Sequence, residues 1–152
     1  MVLTNLDLFE IVDEIGLKNF IGVFMKDELL KLPKKYVGNY IINLQSSTDG
    51  NGTHYCALKI YNDGRTLWFD PFGFESPKEV DKYVGGKIPY SDKTIQNINT
   101  SICGFYCIAF LYYMTKKEGN KNYLDTYQDF TEMFDNNVLK NRNILQEYLK
   151  PL

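Results

Sequence analysis

The chain has 152 residues, the size of one ordinary domain, and its 44% hydrophobic and 15% aromatic content is enough to bury a real core. A formal charge of -2 argues against a broad electrostatic footprint for nucleic acid, with Lys31, Lys34 and Lys35 forming one small basic cluster. A single histidine, His54, excludes the HExxH helix and any other site that needs two imidazoles.

No early stretch combines a basic start, an apolar run and a small-residue cleavage site, so no signal peptide is expected. The longest apolar run, Ile102 to Met114, is too short to cross a bilayer as a helix, and no membrane partner is expected. We expect a soluble, single-domain protein over residues 1–152. Its three cysteines leave at least one thiol unpaired, and a reducing compartment would keep all three as thiols.

In chain order, Thr4 caps a first helix with Asp7 at the third helical position; Leu8, Phe9, Val12 and Ile15 form its apolar stripe, and Gly16 ends it. Lys26 to Leu32 reads as a short second helix stopped before Pro33. From Tyr40 the pattern alternates and predicts a strand ending at Gln45, followed by a loop over Ser46 to Gly52. A second strand runs from Thr53 to Tyr61 and a third from Arg65 to Asp70, joined through Asn62, Asp63 and Gly64 as a hairpin. Pro77 to Tyr83 forms a helical turn or two, with short extended pieces near Ile88 and over Gln96 to Ile98. Cys103 to Lys117 is a helix apolar on all faces and therefore central. Tyr123 to Phe134 and Val138 to Leu149 complete the chain as amphipathic helices.

The hairpin carries the first chemical possibility. In an extended strand His54, Cys56, Leu58 and Ile60 share one face, which puts the imidazole at the rim of the core. A three-residue turn sets Tyr61 opposite Arg65 and, counting back, Cys56 opposite Asp70. Asp70 and His54 are then diagonal neighbours, roughly 7–8 Å apart at the backbone and within reach of one hydrogen bond. A two-residue turn would put Asp70 on the wrong face. The carboxylate can orient the imidazole as the third member of a triad does; the plainer alternative is an aspartate capping backbone amides before Pro71.

Cys103 opens the central helix, where unpaired amides and the helix dipole favour a negatively charged sulfur. Gly104 beside it leaves room for a substrate backbone. Cys56 and Cys107 read as small buried hydrophobes. Gln96 can offer its side-chain amide, with the Cys103 backbone N–H, to an oxyanion, or be an ordinary loop glutamine. A lone His54 taken in isolation reads as a buried structural histidine.

The segment Gly52, Thr53, His54, Tyr55, then Trp68 through Phe74, Gln96, and Cys103 through Cys107 resembles the motif set of the adenovirus-type (adenain-like) maturation cysteine proteases. The acid-Pro-Phe-Gly-Phe block and the Gln-to-Cys interval are the specific parts. Similarity extends to the first helix with Phe20, Ile21 and Gly22, and to the last helix with Asn141, Arg142 and Tyr148. The resemblance implies Cys103 as nucleophile, His54 as general base, Asp70 as orienting acid and Gln96 as oxyanion donor. It implies an α+β fold of the papain-related type in rearranged order, with a mixed sheet packed against the nucleophile helix. Tyr55, where relatives usually carry Trp, would line the substrate groove with Gly104, or else stand on the outer strand face.

By the same resemblance the substrates are capsid or other structural precursor proteins cut near Gly-Gly or Gly-X-Gly, inside the host cell and in the virion, with no cofactor and no metal. The compact length fits relatives from virophages and similar DNA viruses. The adenovirus enzymes use a disulfide-linked peptide and DNA as activators. This chain is shorter between Tyr113 and the last helices and offers no obvious exposed cysteine there, and its acidic balance argues against a DNA requirement, so it is expected to work alone or with a different activator. One rival is a ubiquitin-like-modifier protease, which shares the order His, acid, Gln, Cys. Another is a zinc-stabilised binding module built on His54, Cys56, Cys103 and Cys107.

Overall fold

The computed structural model describes residues 4–44, 54–96, 102–119 and 122–149. The expected loop over Ser46 to Gly52, the strand ends at Gln45 and Thr53, and residues 97 and 98 lie outside them. The architecture is α+β, with a four-stranded mixed sheet and five α-helices among the described residues.

Helix α1 (Asn5–Ile15) starts at a reciprocal capping box: the Asp7 N–H donates to the Thr4 hydroxyl and the Thr4 N–H to the Asp7 carboxylate. Gly16 closes it in the left-handed region at φ 70°. Strand β1 (Phe20–Met25) follows where no strand is expected from the sequence. Its run Phe-Ile-Gly-Val-Phe-Met has no polar alternation, and its partner β2 (Gly38–Asn43) lies parallel to it, with an irregular register between Phe20 and Gly22.

The helix expected over Lys26 to Leu32 shrinks to a single 3-10 turn at Leu29–Lys31. The Glu28 carboxylate accepts the Met25 N–H at 2.7 Å, which folds the chain into a turn there, and Leu32 is extended before Pro33. Strand β2 begins two residues earlier than expected. A side chain on Gly38, at φ +147°, would strike the Asn19 carbonyl oxygen, so only glycine lets the loop lie this close.

Strand β2 pairs antiparallel with β3 (Tyr55–Ile60), and β3 with β4 (Thr66–Phe69), in the order β1-β2-β3-β4. The hairpin register is the expected one: Ala57 faces Phe69, and the Tyr61 N–H donates to the Arg65 carbonyl at 2.9 Å across a three-residue turn. One further step along this ladder sets Cys56 beside Asp70. The short extended piece near Ile88 ends in a parallel bridge between Tyr90 and Trp68.

Two cores result. On one sheet face α1, α3 (Cys103–Lys116), α4 (Tyr123–Glu132) and α5 (Asn141–Leu149) cover Tyr55, Ala57, Leu67 and Phe69. Phe69 stacks on Phe110 with ring centres 4.8 Å apart, and Phe130 meets Phe69 edge-on at 5.5 Å. On the other face the Leu29 turn and α2 (Lys78–Val84) cover Tyr40, Cys56, Leu58 and Trp68. Every described residue of α3 from Cys103 to Leu111 except Phe105 is buried, as an all-round apolar helix between a sheet and other helices must be. None of the described helices is long and apolar enough to cross a membrane.

Candidate active site

His54 precedes β3, its carbonyl accepting the Leu44 N–H at 3.0 Å. Its side chain lies on the Cys56 side of the strand, with Nε2 3.5 Å from Cys56 Sγ and 2.9 Å from Asp70 Oδ1. The imidazole is pinned from a third direction by Phe72, whose ring stacks on it at 4.4 Å with 14° between planes. Asp70 is buried, and the same Oδ1 accepts the Phe72 N–H at 2.7 Å. The carboxylate therefore does both things its sequence position allows: it caps the turn after β4 and holds the imidazole.

The turn is itself fixed. The Gly73 N–H donates to the Asp70 carbonyl, and at φ +85° a Gly73 side chain would come within 2.5 Å of the Asp92 carbonyl oxygen. The Ile95 and Gln96 amides both donate to the Pro71 carbonyl, at 2.9 and 3.2 Å. Gln96 is buried and so tied to the Asp70 turn. Asn141, at the start of α5, holds the same stretch from behind: its Nδ2 donates to the Ile95 carbonyl at 2.9 Å and to Asp135, and its Oδ1 accepts the Asp135 N–H. In the sequence Asn141 stands out only as a point of similarity; its full burial and its bonds to the Ile95 stretch are visible only in the fold.

Cys103 is the first residue of α3 and faces the opposite side of β3 from Cys56. The Tyr55 N–H donates to Cys103 Sγ at 3.3 Å, and one helical turn on, the Cys107 thiol donates to the Tyr55 carbonyl at 3.3 Å. Both cysteines thus clasp the backbone of one residue of β3, through the two peptide units that flank it, which docks the helix in register with the strand. Sγ of Cys103 meets an amide dipole from the strand in addition to the helix start. The Tyr55 ring, expected along the groove or on the outer strand face, is 4% exposed and packed in the core, its hydroxyl donating to Asn5 Oδ1 at 2.9 Å. Gly104 is buried in the first turn of α3.

Electrostatically, burial works against a charged imidazole at His54, but the Asp70 hydrogen bond and the neighbouring Cys103 thiol outweigh it and raise its pKa from 6.5 to about 9. Nε2 is occupied by Asp70; Nδ1, the remaining ring nitrogen, is buried and makes no hydrogen bond. Burial pushes Cys56 and Cys107 well above the ordinary thiol range, so both are neutral thiols. The four donors of the zinc-module alternative do not converge. Cys107 belongs to the helix-covered core and Cys56 to the opposite one, and the group that gathers is His54, Cys56 and Asp70.

An apolar groove of about 510 Å³, lined by Ile102, Phe105, Leu145 and Leu149 with Arg142, opens beside the first turn of α3. A polar cleft around Lys59 and Arg65 lies at the other end of β3, away from the imidazole.

No protein-family model matches this chain. Among curated proteins it is similar to one named "Protease" from Bovine adenovirus 2, with 28% identity over 124 residues covering 70% of the chain. The chain spans about 60% of that relative's length.

Proposed function

We propose that this chain is a viral cysteine endopeptidase of the adenovirus maturation type. In it Cys103, His54 and Asp70 form a papain-like triad in rearranged order, and Gln96 completes the oxyanion site. The observation that carries the reading is the joint placement of His54 on Asp70 at 2.9 Å and of Cys103 Sγ on the Tyr55 amide at 3.3 Å, at the same end of β3.

The chemistry follows from the protonation states. A His54 with a pKa of about 9 is imidazolium near neutral pH, and we pair it with the sulfur of Cys103 at the start of α3 as the attacking group. Asp70 keeps the Nε2 proton in place, so Nδ1 is the nitrogen that exchanges a proton with the reacting groups. The thiolate attacks the scissile carbonyl, and the Gln96 side-chain amide and Cys103 N–H receive the oxyanion. Imidazolium then protonates the leaving amine; the neutral ring takes a proton from water, which hydrolyses the thioester.

The substrates are structural precursor proteins cut near Gly-Gly or Gly-X-Gly, in the infected cell and in the virion, with Gly104 beside the nucleophile admitting the substrate backbone. By this reading the enzyme works alone or with an activator other than the disulfide-linked peptide and DNA of the adenovirus enzymes. To test this, the purified chain is incubated with a library of Gly-containing peptides and with a ubiquitin-like fusion, with and without DNA. Cleavage of Gly-Gly peptides that disappears in Cys103→Ala supports the reading. Cleavage confined to the fusion would assign it to the modifier proteases, and cleavage retained by Cys103→Ala would remove Cys103 as nucleophile.

A further inference from the structure

Cys56 is a third cysteine that the proposed reaction does not use, yet its sulfur lies beside the proposed general base. It is fully buried, and its Sγ stands 3.5 Å from His54 Nε2. Metal-donor atoms of His54, Cys56 and Asp70 all lie within 4.8 Å of one another. In a tetrahedral site with Zn–S of about 2.3 Å and Zn–N of about 2.0 Å, sulfur and nitrogen are separated by about 3.5 Å. The Nε2-to-Sγ spacing is therefore already that of a zinc site. The Nε2-to-Oδ1 spacing of 2.9 Å is a few tenths short of a tetrahedral edge and opens with a small rotation of the carboxylate.

Two further features point to a ligand. Asp70 Oδ2 is buried and has no hydrogen-bond partner, an uncommon state for a carboxylate oxygen that a cation would relieve. His54, with its side chain 19% exposed, gives the trio an edge to solvent while the other two donors stay dry. Imidazole, thiolate and carboxylate together are a donor set that selects Zn²⁺ over Mg²⁺ or Ca²⁺.

We propose that His54, Cys56 and Asp70 form an inhibitory site for Zn²⁺, in which the metal takes Nε2 of the imidazole and separates it from Asp70. Coordination replaces the Cys56 S–H and the His54 Nε2–H by bonds to the metal, and both protons leave to solvent. The imidazole then carries its proton on Nδ1 and can accept none from Cys103. The metal-binding half stands on the geometry alone; the inhibitory half rests on the protease reading above.

The binding test uses Cys103→Ala, so that the proposed nucleophile contributes no sulfur, and Co²⁺ as a spectroscopic stand-in for zinc. The expected result is one bound ion per chain with tetrahedral d–d bands and a near-ultraviolet thiolate-to-cobalt band. The thiolate band should be lost when Cys56→Ala is added. Should that double variant not fold by circular dichroism, Cys56→Val keeps the buried volume and serves instead. A thiolate band that survives loss of Cys56, or no binding at millimolar Co²⁺, overturns the site. For the intact chain, zinc should halve peptide cleavage at the concentration that half-saturates Cys103→Ala. Inhibition at concentrations where Cys103→Ala binds nothing would place the metal on Cys103 and refute the proposal. A chain that cleaves no peptide would remove the protease reading while the cobalt spectra still decide the metal site.

Discussion

Because His54 is the chain's single histidine, its protonation can be followed without assignment by the imidazole resonances in an NMR titration. The Asp70 bond and the Cys103 thiol raise its pKa from 6.5 to about 9 against the opposing effect of burial. At 1.36 kcal/mol per pH unit that is a preference of about 3 kcal/mol for the charged ring. Substituting Asp70→Asn removes the charge while keeping an oxygen for the Phe72 N–H. The midpoint should then fall by about two units or more, because burial continues to disfavour the cation. Cys103→Ala should fall between the two. A raised folded pKa contributes stability that is fully present below pH 6.5 and is lost as pH rises through about 9. The difference in melting temperature between the parent chain and Asp70→Asn should therefore be large near pH 6 and shrink above pH 9. A His54 midpoint near 6.5 in the parent chain, unmoved by Asp70→Asn, would refute the reasoning.

Gly73→Ala forces a side chain toward the Asp92 carbonyl at a φ of +85°, and should lower stability by about 1–3 kcal/mol in urea unfolding while also slowing peptide cleavage, since the same turn holds Gln96. Asn141→Ala strands the Ile95 carbonyl and both backbone groups of Asp135, and should cost roughly 1–3 kcal/mol with a drop in kcat larger than any change in KM. Lys59 is buried and donates to Asn39, Thr115 and Glu118 at the far end of β3. Lys59→Ala should therefore destabilise by roughly 1–3 kcal/mol yet leave kcat/KM unchanged when assayed below its melting transition.

What was legible in the sequence was local. The Thr4–Asp7 capping box, the Gly16 stop and the three-residue turn each depend on residues within a few positions, and the turn length alone set the register that brings Asp70 to His54. The all-apolar run after Ile102 marked α3 for the same reason. Strand β1 was not legible, because its six residues lack alternation and its parallel pairing with β2 is non-local. The charged stretch at Lys26 to Lys31 has helical composition, but the Glu28 side chain captures the Met25 amide and Pro33 ends what remains.

At the candidate site, the clasp of the Tyr55 backbone N–H and carbonyl by Cys103 and Cys107 depends on how α3 docks against β3, which no spacing along the chain encodes. The Tyr55 backbone meets the two cysteines while its ring packs in the core and its hydroxyl donates to Asn5. Asn141 works through the Ile95 carbonyl, 46 positions away in sequence, and was invisible for the same reason.

The most direct test of the account is to trap the covalent intermediate. Turnover of a Gly-Gly peptide ester is quenched in acid and the protein is digested and mapped by mass spectrometry. The account predicts the acyl mass on the fragment holding Cys103, and none in His54→Ala. Substrate cleavage with no acyl group on Cys103, or with the label on Cys56 or Cys107, would contradict it.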